Sequence, residues 1–161
     1  MNEEKQAIYS TKTESKHYYK EFILTSKYGD LKAKGVKITD SSIVNKYAHE
    51  IFNDIDIRES FIAAFVDRQN KIIGYFVVSI GGVAGTIVDT KLIFSAALQC
   101  LASGIVLMHN HPSGNTKPSQ ADIRITKKIK EAAKHLDITI LDHVIITPEK
   151  NYYSFADEGI L

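Results

Sequence analysis

The stretch that most constrains this chain is His109-Asn110-His111-Pro112-Ser113-Gly114-Asn115-Thr116-Lys117-Pro118-Ser119-Gln120-Ala121-Asp122. It follows a short apolar run, Ser103 to Met108, that reads as a buried strand. His109 and His111 stand at i and i+2, so an extended backbone turns both rings to one face. Pro112, Gly114 and Pro118 then bend the chain, and Ser119 to Asp122 opens a helix that can return Asp122 to the two imidazoles. Two neutral imidazoles and one carboxylate suit a borderline metal ion and leave a fourth tetrahedral position for water, as in a catalytic zinc site.

A blander reading accounts for part of this pattern. Ser119 and Asp122 fit a capping box, in which the serine bonds the third helical N–H and the acid reaches back to the cap. That explains S-x-x-D but not H-x-H at the end of an apolar strand. The metal assignment therefore rests on His109, His111 and Asp122 together. His17, His49 and His135 lack metal-type spacing and are expected at the surface.

The pattern H-x-H, seven residues, S-x-x-D resembles the JAMM signature of JAB/MPN-domain metalloproteins. The longer string HNHPSGNTKPSQAD resembles their bacterial RadC branch, as do Gly81 to Asp89 (GGVAGTIVD), Leu141 to His143 (LDH) and Tyr152 to Gly159 (YYSFADEG). The likeness covers residues 38–161. It implies an α/β class and one JAB/MPN-like (cytidine-deaminase-like) domain, with a mixed, largely antiparallel sheet flanked by helices. It also implies zinc (Zn2+) on His109, His111 and Asp122, and hydrolysis of amide or isopeptide bonds in a protein or peptide substrate. In that chemistry a zinc-held water attacks the carbonyl, Ser119 steadies the oxyanion, and an upstream glutamate moves the proton.

The glutamate is where this sequence departs. The RadC branch carries it in a string resembling G-x-F-E-L-S, and the aligned residues here are Gly74-Tyr75-Phe76-Val77-Val78-Ser79. Val77 occupies the acid's position, and no Asp or Glu lies between Asp67 and Asp89. Loss of a general base typically costs ~10²–10⁴ in rate. Glu50 and Glu59 are candidate substitutes, although nothing in the sequence places either near the metal. Two functions therefore compete: a zinc-dependent hydrolase, and a metal-binding interaction module without hydrolysis. A DNA-processing accessory role is suggested only by the historical label of the RadC name. Longer RadC proteins carry a helix-hairpin-helix region, for which the segment before Ile38 leaves no room.

Composition bounds the remaining choices. A chain of 161 residues with 44% hydrophobic residues can bury a core of its own. Twenty basic against nineteen acidic residues leave a net charge of +1, so no strong nucleic-acid binding is expected. The single cysteine, Cys100, cannot form an internal disulfide and suits a reducing compartment. The polar start, MNEEKQAIYSTKTESK, has no apolar signal core, and no apolar run approaches the ~18 residues of a membrane span. The cytoplasm is the expected location.

Along the chain, residues 1–37 read as a polar arm with a possible strand at Lys20–Ser26 and a basic hairpin tip at Lys27–Lys37. A helix capped at Thr39, Asp40 or Ser41 runs to about Asn53, with Val44, Tyr47, Ala48 and Ile51 as its apolar stripe. Residues 60–67 and 71–80 form a hairpin, and residues 83–88 continue extended. A helix over 90–100 presents Leu92, Ile93, Ala96, Ala97 and Cys100. The helix from Ser119 to about Leu136 buries Ile125, Ile129, Ala132 and Leu136 and holds Lys127, Lys130 and Lys134 on a solvated face. Short strands follow at 138–141, 143–147 and 151–155. Asp142 and His143 carry two readings: Asp142 as hydrogen-bond partner of a ligand imidazole, or a turn acid beside a half-buried strand histidine.

Overall fold

The computed structural model describes residues 35–81 and 88–161. The polar arm with its strand and basic tip, and the extended stretch at 83–88, therefore lie almost wholly outside the described residues. The elements run α1 (Ser41–Ile51), β1 (Ser60–Val66), β2 (Ile72–Ile80), α2 (Thr90–Gln99), β3 (Gly104–Asn110), α3 (Gln120–Lys134), β4 (Thr139–Ile146) and β5 (Tyr152–Ser154). The five strands form one mixed sheet in the order β2-β1-β3-β4-β5. Only β3 and β4 are parallel, and α3 makes the crossover between them. This is the α/β class with a largely antiparallel sheet that the sequence implied. Among the described residues, no helix is long and apolar enough to cross a membrane.

β1 and β3 are buried along their whole length because helices cover both faces of the sheet. On one face Ile62, Val106, Met108, Val144 and Ile146 pack under Val44, Tyr47 and Ala48 of α1. On the other, Phe61, Phe65 and Leu107 meet Ile93 and Ala97 of α2 and Ile129 and Ala133 of α3. Asp40 caps α1 by accepting from the Ser42 and Ile43 amides at 3.0 and 3.2 Å.

Several sequence expectations shift in detail. β3 runs to Asn110, two residues beyond the apolar run, so His109 is part of the strand itself. The two strands expected at 138–141 and 143–147 are one strand, β4, with a register shift opposite Ile105 and Val106. Asp142 does not break it, because its carboxylate accepts from the His143 and Ala156 amides and the Ser154 hydroxyl. On α2 the buried stripe is Ile93, Phe94 and Ala97, while Leu92 and Cys100 are exposed. α3 ends at Lys134, which leaves Leu136 outside the stripe and exposed. His49 is half-buried and not a surface group; burial holds its imidazole below the ordinary value, and Lys150 adds to the effect.

Candidate metal centre

The end of β3, the turn after it and the first turn of α3 build the site. His109 pairs across the sheet with Phe61 of β1, whose ring stacks on the imidazole at 5.9 Å and 11°. The chain leaves the sheet at His111, whose amide donates to the Ile146 carbonyl. Gly114, with φ +78°, closes the turn by donating to the His111 carbonyl, a conformation that only glycine adopts without strain. Ser119 then caps α3. Its hydroxyl oxygen accepts from the Asp122 amide at 3.2 Å, and its own amide donates to Asp122 Oδ2 at 2.7 Å. The capping box is thus present, and the same cap holds the Asp122 carboxylate against the histidines.

Three ligating side chains converge. His109 Nε2 lies 2.9 Å from His111 Nε2 and 3.4 Å from Asp122 Oδ1, and His111 Nε2 lies 3.9 Å from Asp122 Oδ2. Donors bonded tetrahedrally to zinc at ~2.0–2.1 Å stand roughly 3.3 Å apart, so the spacing fits such an ion. One imidazole has a defined tautomer by simple accounting. His111 Nδ1 is 2.6 Å from the Asn115 carbonyl, which can only accept, so Nδ1 carries the hydrogen and Nε2 offers a lone pair. The His111 lone pair and the Asp122 carboxylate are both turned toward His109 Nε2, an arrangement of donors that a cation between them would satisfy. His109, His111 and Asp122 form the one group of this kind among the described residues.

Burial dominates the electrostatics. His109 is pushed down to about 4, first by loss of solvent, with Asp122 pulling the other way and His111 adding to the depression. His143, fully buried, is held well below the ordinary imidazole value by burial and then by the two neighbouring histidines. Both rings are therefore neutral at pH 7, the state in which an imidazole binds metal. Burial raises the Asp142 carboxyl, against the hydrogen bonds from Ser154, Ala156 and His143.

The group behind the ligands differs from the sequence expectation. Asp142 does not reach a ligand imidazole; it organises the β4–β5 connection through Ser154 and Ala156. His143 does reach one, with its Nε2 2.8 Å from His109 Nδ1. Its Nδ1 lies 2.6 Å from the Thr126 hydroxyl, and its ring stacks on Phe155 at 4.7 Å. The LDH string carried a signal for this position, a histidine in an apolar strand. Thr126 had none beyond a polar residue on the buried side of an amphipathic helix.

Val77 is not brought to this cluster. A register shift in β2 sets Phe61 opposite Ser79 and Ile62 opposite Val77, so Val77 shares the face of Ile62 and α1. There it is 39% exposed and lines a cavity of about 190 Å³ with Ile51, Phe52 and Ile62. Glu50 belongs to α1 and to that same side of the sheet. Glu59 stands differently. Its carbonyl accepts from the Gly81 amide at 2.8 Å, continuing the β1–β2 ladder one residue beyond Ser60. It is half-buried and lies just outside β1, two residues before Phe61.

Residues 38–160 match the RadC-like JAB domain family. The chain belongs to that family. A UPF0758 protein of Flavobacterium johnsoniae is 50% identical over 124 residues, which is 77% of this chain and 53% of the relative. A UPF0758 protein of Porphyromonas gingivalis is 40% identical over 124 residues, covering 77% and 54%. A third, from Methanosarcina mazei, is 41% identical over 104 residues, covering 65% and 45%. The chain thus spans about half the length of the curated relatives it matches.

Proposed function

We propose that this RadC-like JAB domain is a zinc-dependent hydrolase of peptide amide or isopeptide bonds, with Glu59 as its general base. The observation that carries the reading is the convergence of His109 Nε2, His111 Nε2 and the Asp122 carboxylate beside a serine whose hydroxyl proton is uncommitted. Bound there, the ion would supply Lewis acidity and bring the pKa of a water to roughly 7. His109, His111 and Asp122 would hold it. Glu59, half-buried two residues before the Phe61 that stacks on His109, would take the proton of the attacking water and return it to the leaving amine. The Ser119 oxygen already accepts from Asp122, so its hydrogen is available to an oxygen gaining charge, an interaction worth about 3 kcal/mol where it operates.

A second reading is that the chain binds zinc and acts as an interaction module: Val77 faces α1, so the alignment that put it at the family's glutamate position does not hold, and among the described residues Asp122 is the one carboxylate grouped with the histidines. One set of measurements separates the two. Elemental analysis of chelator-free protein should find about one zinc per chain and none in the His109→Ala/His111→Ala variant; metal content unchanged by that variant would sink the ligand assignment. On quenched peptide and isopeptide libraries, Glu59→Gln should lower the rate ~10²–10⁴ while keeping the metal. Val77→Glu should leave the rate unchanged, and a gain in that variant would move the base to position 77. Full zinc loading with no hydrolysis in any library supports the interaction module.

A further inference from the structure

Behind His109 runs a line of hydrogen bonds whose direction can be worked out from one hydroxyl. Thr126 Oγ1 lies 2.6 Å from the Asp122 carbonyl oxygen and 2.6 Å from His143 Nδ1. A threonine hydroxyl has one hydrogen, and the carbonyl can only accept. The hydrogen therefore goes to Asp122, and the threonine oxygen accepts from His143 Nδ1–H. The opposite arrangement would leave two oxygens 2.6 Å apart with no hydrogen between them. A neutral His143 protonated at Nδ1 has its lone pair on Nε2, and 2.8 Å away stands His109 Nδ1. That nitrogen must donate. His109 then carries its hydrogen at Nδ1 and its lone pair at Nε2, the atom that faces His111 and Asp122.

We propose that Thr126 and His143 are positioning residues that hold His109 in its metal-binding tautomer, through the chain Asp122 carbonyl, Thr126 hydroxyl, His143 and His109. The proposal rests on the metal reading of the site and adds to it. Helix α3 contributes twice: Asp122 is a ligand by its carboxylate, while its carbonyl, one turn before Thr126, sets the direction of the relay that presents a second ligand. Docking of one helix thus prepares two of the three donors. If the hydroxyl pointed the other way, His143 would donate from Nε2, and His109 would present an N–H to the ion. The Phe61 and Phe155 rings stack on His109 and His143 at interplanar angles of 11° and 20° and hold each imidazole in place.

Thr126→Val keeps the shape and removes the hydroxyl, whereas Thr126→Ser retains it. Zinc affinity of the full chain is measured by chelator competition, and the ring-nitrogen shifts of His109 and His143 by NMR on metal-free protein. Thr126→Val should bind zinc 10–100-fold more weakly, as loss of a partner behind a metal ligand typically does, and Thr126→Ser should stay near wild type. Metal-free wild type should show both rings protonated at Nδ1. Unchanged zinc affinity in Thr126→Val, or a metal-free wild type with His109 protonated at Nε2, overturns the relay. A wild type that binds no zinc overturns the metal reading instead, and the NMR tautomers still decide the relay. If Thr126→Val fails to fold by circular dichroism, the wild-type tautomers alone decide it.

Discussion

The two faces of the sheet differ in how the covering helix pairs its buried polar groups. On the α3 side, His109 and His143 are buried yet each meets partners on both ring nitrogens, and Thr126 is satisfied twice. On the α1 side, Met108, Val144 and Ile146 of the same strands are fully buried, and the buried Asn110 and Asp142 on that face each make three hydrogen bonds. Three buried polar atoms of α1, Tyr47 OH, Asn45 Oδ1 and His49 Nε2, have no hydrogen-bond partner among the described residues. One face is a packed core whose helix leaves three polar atoms unpaired among the described residues, and the other is a connected polar network that reaches the candidate ligands His109, His111 and Asp122. A buried polar group costs stability unless it is paired. The network is therefore affordable only as a whole, and the α1 face carries the stability that such a site does not supply.

The widest separation of the faces comes from Met108→Ala. It should cost ~2–5 kcal/mol by leaving a cavity under α1, while zinc content stays at the wild-type level. Denaturant unfolding and elemental analysis on one preparation test this. A variant that loses its zinc while remaining folded would show that the two faces are not independent.

An acid titration probes the opposite face. Folded His109 binds a proton only near pH 4, against 6.5 for an ordinary imidazole, and His143 is shifted in the same direction. Between those values the unfolded chain holds more protons than the native one, so stability falls as pH falls. Metal-free protein should lose thermal stability as pH drops from 6.5 toward 4. A melting temperature flat across that window would remove the electrostatic basis of the comparison. His49, also lowered by burial, contributes with the same sign.

The smallest effect belongs to Tyr47→Phe. Removing a buried hydroxyl that pairs with nothing described should be neutral or stabilising by up to ~1 kcal/mol. A loss of more than ~1 kcal/mol would mean that the hydroxyl does have a partner and that the contrast between the faces is overdrawn.

The ligand set was legible in the sequence because its geometry is local. H-x-H at a strand end, a proline- and glycine-marked turn and an S-x-x-D helix start need only strand alternation and capping to bring His109, His111 and Asp122 together. The helices around the core were legible for the same reason, with errors at ends and stripe edges such as Leu92 and Leu136. What tertiary structure decided is what depends on register between distant segments. A shift in the pairing of β2 turns Val77 to the side of α1, and a one-residue shift exchanges faces without changing any local propensity. Phe61 comes to stack on His109 through a strand pairing that no spacing along the chain encodes. His143 lies 34 residues from His109 and 17 from Thr126, and only the parallel pairing of β3 with β4 under α3 brings the three together. Chemistry written in one contiguous stretch can be read from the sequence; partners that arrive from other strands become visible only once the sheet has set their faces.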